Sequence, residues 1–129
     1  MSTTSKLMPE RDAIRALFAA TDQGDLAGVT SYLHDDVVVF LSNREPIHGA
    51  EAYAELYGQV AGMLAGLRHE ILDIWSAAED PSVWIVQMTV HYIRVDGPTV
   101  SLPCCNVLRF TEGLVSDYRV FMDMSPVFA

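Results

Sequence analysis

Basic residues are scarce in this chain. Eight lysines and arginines face 17 aspartates and glutamates, leaving a formal charge of −9. Binding a phosphate backbone needs a cluster of Lys and Arg, and these few are scattered, so nucleic acid is excluded as a partner. The acidic balance also disfavours anionic membranes, and no run of about 20 apolar residues is present to cross a bilayer. The opening MSTTSKLMPERD lacks the apolar stretch of a secretory signal. Cysteine is nearly absent too. The two present, Cys104 and Cys105, are adjacent and point to opposite faces of a strand, which argues against a disulfide between them and fits a reducing, cytoplasmic setting. Neither CxxC nor HExxH spacing occurs, nor a Gly-rich phosphate loop, nor GxSxG, so no metal or cofactor is expected.

What is present suffices for a sizeable core: half of the 129 residues are hydrophobic. One domain over 1–129 is expected, with 1–8 a flexible leader and 124–129 a short apolar tail. Pro9, Glu10 and Asp12 suit a first helical turn, and Ile14, Leu17, Phe18 and Thr21 mark one face of that helix. Gly24 terminates it, and Asp25 caps a second helix running from Leu26 to about Leu33. Val37 to Leu41 is a β-branched run that reads as a strand. After a loop at 42–46, His48-Gly49 leads into a third helix with an apolar stripe through Tyr53, Leu56, Tyr57 and Val60. Arg68 to Ser76 alternates as a second strand. Three further strands follow between Val83 and Asp123. The order α-α-β-α-β-β-β-β is α+β. It predicts a cone-shaped α+β barrel, three N-terminal helices packed on a curved, mainly antiparallel sheet.

The last three strands permit a predicted register. A two-residue loop at Asp96-Gly97 pairs His91 with Leu102, Thr89 with Cys104 and Gln87 with Asn106. A three-residue loop at 111–113 pairs Asn106 with Tyr118 and Cys104 with Val120. Paired residues share a face. One face then gathers Gln87, Thr89, His91, Cys104, Asn106 and Tyr118, ringed by Val120 and Met122. Trp84, Met88 and Tyr92 form an apolar stripe on the other, where Arg119 and Asp123 also meet.

The segments GDLAGVTSYLHDDVVVF, PIHGAEAYAELY and VLRFTEGLVSDYRVFMDMSP, in that order and spacing, resemble the nuclear transport factor 2-like superfamily, in its SnoaL-like and ketosteroid isomerase-like branch. The resemblance covers nearly the whole chain. It implies a cone-shaped cavity and a homodimer through the outer sheet face, with activities that include isomerases, dehydratases, polyketide cyclases and epoxide hydrolases beside non-enzymatic binding modules. Fold alone does not choose among these. The isomerase's base carboxylate would fall at Phe40-Leu41, its oxyanion tyrosine near Leu17 and its protonated aspartate at Asn106. The Asp–Arg–Asp set of the limonene epoxide hydrolase-like pattern would fall at Val120, Thr89 and His91. Neither set of carboxylates is present. Dehydratase members commonly carry a histidine on the third strand, and His91 with Asn106 resembles that pattern in part.

The leading expectation is therefore a cofactor-independent enzyme performing proton transfer on a largely apolar substrate, by isomerisation, dehydration or cyclisation. His91 is its candidate acid/base, with Asn106 and Tyr118 stabilising oxygen charge. Gln87, Thr89, Tyr53, Tyr57, Phe18, Phe40, Leu56, Val120 and Met122 are candidate ligand contacts. Plainer alternatives stand beside each assignment: His91 solvated or bonded to a neighbour, Asn106 and Tyr118 satisfying one another, the two helix tyrosines packed in the core. As a whole, the chain is alternatively a non-catalytic binding protein of this fold, or a dimerisation module whose cavity is filled.

Overall fold

A computed structural model describes residues 8–128. The predicted leader thus lies outside the described residues apart from Met8. Helix α1 (Glu10–Gln23) starts after Pro9 and ends at Gly24, whose φ of 70° is the left-handed stop that glycine adopts without strain. Its buried face is Ala13, Ile14, Leu17, Phe18 and Thr21, at helical spacing. Asp25 caps α2 (Leu26–Ser31) by accepting the Gly28 N–H. This helix is shorter than expected, because strand β1 (Leu33–Leu41) already begins at Leu33. A two-residue strand β2 (Ile47–His48), between the expected loop at 42–46 and the third helix, pairs with β1 ahead of α3 (Ala50–Gly62). Then come β3 (Leu64–Ser76), β4 (Val83–Arg94), β5 (Thr99–Thr111) and β6 (Leu114–Phe121). The tail forms a 3-10 turn at Ser125–Val127 and buries Val127.

The architecture is α+β, with three helices against one six-stranded mixed sheet ordered β2-β1-β6-β5-β4-β3. All neighbours are antiparallel except β1 and β6, which run parallel. The sheet is open, its terminal strands β2 and β3 being at opposite ends of the order. Helices α1 and α3 cover one face, and the core lies between. Phe18, Leu17 and Leu108 are essentially inaccessible there, each burial contributing roughly 1.5–3 kcal/mol.

Two turns decide which side chains face that core, and both differ from expectation. Closing a two-residue loop between Val95 and Pro98 requires a backbone N–H from residue 98, and proline has none. The chain instead closes a turn from the Gly97 N–H to the Arg94 carbonyl, with Gly97 at φ 113°. The resulting pairs are His91 with Ser101, Thr89 with Pro103 and Gln87 with Cys105. This one-residue slip moves every side chain of β4 to the other face relative to β5. Gln87, Thr89 and His91 therefore lie on the outer face, while Met88 and Tyr92, expected outside, are buried against the helices. At the second turn, Glu112 and Gly113 both have positive φ and make a two-residue loop between Thr111 and Leu114. A bulge at Arg109/Phe110 adds a further step. The total shift is two, so Asn106 and Tyr118 keep the inner face but change partners: Asn106 pairs with Val120, and Tyr118 with Leu108. Arg119 bonds Asp117 at 2.8 Å, not Asp123, whose carboxylate accepts the Ser125 N–H.

Candidate functional site

Between α1, α3 and the inner sheet face lies a cavity of about 90 Å³. Helix α3 contributes Tyr53, Leu56 and Tyr57, and the sheet contributes Asn106, Tyr118, Val120 and Met122. These seven expected contacts are brought together. Phe18 stands one layer behind, its ring edge-on to Tyr118 at 6.3 Å and 5.1 Å from the His69 ring. Four expected residues are not there. Phe40 is on the opposite side of β1, beneath the Arg119 guanidinium at 4.2 Å. Gln87, Thr89 and His91 are outside for the register reason given above. His91 is fully engaged there: its Nε2 lies 2.9 Å from Glu70 Oε1 and its Nδ1 2.7 Å from Ser101 Oγ.

The histidine that lines the cavity is His69, on β3. Its Nδ1 is 2.6 Å from Asp22 Oδ1, and its backbone N–H donates to both oxygens of the same carboxylate at 2.9 Å. An ionised carboxylate only accepts, so Nδ1 carries the proton and Nε2 of the neutral ring keeps its lone pair. Among the described residues, Nε2 has no partner within hydrogen-bond reach. Both side chains are largely shielded, with exposures of 12% for His69 and 23% for Asp22. The sequence carried one local signal of this pair. Asp22 occupies the last turn of α1, where the negative end of the helix dipole disfavours an acid. The three donor contacts from His69 offset that.

The remaining polar groups of the wall are neutral donors. Burial pushes the Tyr53 phenol up to about 12, and raises Tyr118 and Tyr92 well above the ordinary range. Tyr57 is raised by burial and then by the Asp22 charge, and its hydroxyl donates to the Thr21 carbonyl. The Cys104 thiol is pushed by burial to about 11. Asn106 is buried, and among the described residues its Nδ2 reaches only sulfur, Met88 Sδ at 3.4 Å and Cys104 Sγ at 3.6 Å. Thiols and thioethers are weak acceptors, so this amide is poorly satisfied by the protein. Among the described residues no group of His, Cys, Asp and Glu is arranged to hold a metal ion, and no helix is long and apolar enough to cross a membrane.

Comparison with known proteins agrees with the fold. The SnoaL-like domain model matches residues 14–118. The chain belongs to the SnoaL-like domain family, within the nuclear transport factor 2-like superfamily. Among solved structures it is similar to an epoxide hydrolase from M. tuberculosis of the LEH-like kind, with 23% identity, TM-score 0.78, and 92% of this chain and 86% of that one covered. It is also similar to TerC crystallised with polyporic acid, with 19% identity, TM-score 0.81, and coverage of 94% and 96%. A protein of ketosteroid isomerase-like fold from Catenulispora acidiphila, in complex with trimethylamine, has 12% identity, TM-score 0.78, and coverage of 88% and 86%. At these identities the likeness speaks for the fold. No curated protein matches the chain by sequence.

Proposed function

We propose that this chain is a small-molecule enzyme that moves a proton without a cofactor, in an isomerisation, dehydration or cyclisation, with His69 as the acid/base. The observation that carries this reading is the 2.6 Å Asp22–His69 pair, with His69 in the wall of a largely apolar cavity and no partner for its Nε2 among the described residues. Nε2 takes a proton from carbon next to a carbonyl, and Asp22 stabilises the imidazolium that forms. The negative charge moves to the carbonyl oxygen. Tyr118, Tyr53 and Asn106 surround the space where that oxygen would sit, and phenols held neutral by burial are hydrogen-bond donors. Returning the proton to a different carbon isomerises the substrate; expelling a leaving group dehydrates it. Met122, Val120 and Leu56 hold the apolar part. In this reading the open sheet and its helices act as the family's cone.

The test is solvent exchange. The purified protein is incubated in deuterated buffer with a panel of small ketones and a metabolite extract, followed by mass spectrometry. A catalytic chain incorporates deuterium into a ketone, and His69→Ala abolishes the incorporation. If the protein retains a compound unchanged and no deuterium enters it, the chain is a binding protein and the catalytic reading fails.

We also propose that two copies associate through the outer sheet face. Leu72, Trp75 and Phe121 are exposed there by 52%, 47% and 55%, a patch that water disfavours. Two pairs of charges beside it are already closed within the chain, Arg68 with Glu70 and Arg119 with Asp117, while Asp73 on the same face is exposed and belongs at the solvated rim of such an interface. Sedimentation at micromolar concentration is expected to show a dimer, and Trp75→Glu a monomer.

A further inference from the structure

A cleft of about 500 Å³ opens beside the inner cavity and shares Leu41, Met122 and Met124 with it. Its polar lining is Ser42, Asn43, Arg44, Asp123 and Ser125. The Ser42 hydroxyl donates to the Met122 carbonyl. Asp123 accepts the Ser125 N–H at 3.0 Å, and that contact holds its carboxyl below the ordinary range. Among the described residues, Arg44 has neither an ion pair nor a side-chain hydrogen-bond partner. Its side chain is exposed, in a chain of charge −9. Among the described residues, Arg68, Arg94, Arg109 and Arg119 all pair with carboxylates, and Arg11 lies over Trp84 and donates to the Ile74 carbonyl. Arg15 is also unpaired, but Arg44 is the one that lines the cleft.

The backbone beneath Arg44 is built rather than loose. Ser42 has φ 53°, a left-handed conformation that costs a non-glycine residue free energy and tends to mark functional segments. It is held by its N–H on the Val120 carbonyl at 2.8 Å, by its hydroxyl on Met122, and by the turn from the Arg44 N–H to the Leu41 carbonyl at 3.0 Å. Those anchors tie the loop to the end of β6, directly beside the cavity mouth.

We infer that the substrate is an amphipathic anion, its carboxylate or similar group bound by Arg44 in the outer cleft and its apolar end in the inner cavity. This rests on the reading of the inner cavity as the substrate site. A guanidinium offers a planar pair of donors that matches a carboxylate, and an unpaired one has no internal anion to displace. The inner space of about 90 Å³ is smaller than the apolar cavity of about 150 Å³ that accommodates a benzene ring, so it takes a small group or a thin chain, and the larger remainder stays in the cleft. Met122 and Met124, between the two spaces, are flexible enough to let a chain pass. Asp123 stays ionised in the same cleft, so the anion is directed to the Arg44 side of it.

The test uses hexanoate and hexanamide, equal in shape and different in charge, titrated into protein with labelled methionine methyl groups and followed by NMR. Hexanoate is expected to bind at least about tenfold tighter than hexanamide, shifting Met122 and Met124. Arg44→Gln is expected to remove that preference, and Arg44→Lys to keep part of it. His69→Ala is expected to retain it, which separates this inference from the catalytic one: loss of turnover tests His69, loss of charge preference tests Arg44. Equal binding of the two probes, an unchanged preference in Arg44→Gln, or no binding of either at millimolar concentration would each overturn it.

Discussion

Two histidine–carboxylate pairs stand on opposite faces of the sheet, one joining β3 to α1 and the other joining β3 to β4. His69 and Asp22 are inside, at 2.6 Å; His91 and Glu70 are outside, at 2.9 Å. By distance alone they are near equals. The difference is what the other ring nitrogen does. On His91 it accepts the Ser101 hydroxyl, so the imidazole has no free valence and Glu70 is about half exposed. On His69 the second nitrogen is unpaired beside a cavity. A histidine closed at both ends holds strands together; one closed at a single end is available to a substrate. Residue type and pairing therefore do not identify a catalytic histidine here, and the free nitrogen does.

The largest expected effect breaks this comparison at its centre. General acid–base groups contribute about 10²–10⁴ in rate. His69→Ala is expected to lower deuterium incorporation by that much, while His91→Ala leaves it within about twofold. Equal losses in the two variants would remove the distinction. The adjacent cysteines give a chemical version of the same contrast. Cys104 faces the core and Cys105 the outer side. With its thiol held near 11 by burial, Cys104 is expected to react with iodoacetamide at pH 8 more than about a hundredfold more slowly than an ordinary exposed thiol. Peptide mapping should find the label on Cys105. The sign of the pH dependence follows. Cys104 and Tyr53 stay protonated in the fold at pH values where the unfolded chain ionises, so stability is full below about pH 9 and falls as pH rises toward 11 and 12.

Much of the fold was legible because local signals agreed. Gly24, Asp25 and the spacing of Ile14, Leu17 and Phe18 placed two helices, and the alternation in the last strands placed the meander. The site was less legible, for a reason confined to a few atoms. Asp96-Gly97 reads as a two-residue hairpin, but Pro98 lacks the N–H that would close it. The one-residue slip exchanged the two faces of β4 and put His91, Gln87 and Thr89 outside. Asn106 and Tyr118 survived because the error at the second turn was even. His69 was passed over because its partner is 47 residues away. Only the misplaced charge of Asp22 at a helix C-terminus hinted at it. Ser42 was equally hidden, since nothing in its type announces a left-handed backbone.

Asn106 sharpens the comparison energetically. A buried amide with sulfur partners lacks good acceptors, and leaving such a group poorly satisfied costs about 1–3 kcal/mol. Asn106→Leu, of similar size, is expected to stabilise the chain by about 1 kcal/mol in urea melts while weakening ligand binding or turnover. A polar residue of the outer face, such as Gln87, is exposed, so the same change there is expected to fall within about 0.5 kcal/mol. If Asn106→Leu destabilises instead, the amide has a structural partner that its two sulfur contacts do not supply.

The smallest effect concerns the outer pair. The hydrogen bond from His91 is the main reason the Glu70 carboxyl sits below the ordinary carboxylate range, with the Arg68 and His91 charges adding to it against a modest desolvation. With Nε2 donating to Glu70, Nδ1 accepts from the Ser101 hydroxyl, and the three side chains lock β3, β4 and β5 across the sheet. A carboxyl lowered in the fold adds stability above its unfolded value and loses it as pH falls through the folded one. In His91→Ala, the Glu70 carboxyl resonance is expected to titrate at higher pH than in the parent, still short of the free value because Arg68 remains. Acid unfolding should begin at slightly higher pH for the same reason. Turnover should not follow either change, since the inner pair is untouched; a turnover loss that tracked the Glu70 titration would tie the outer histidine to the chemistry after all.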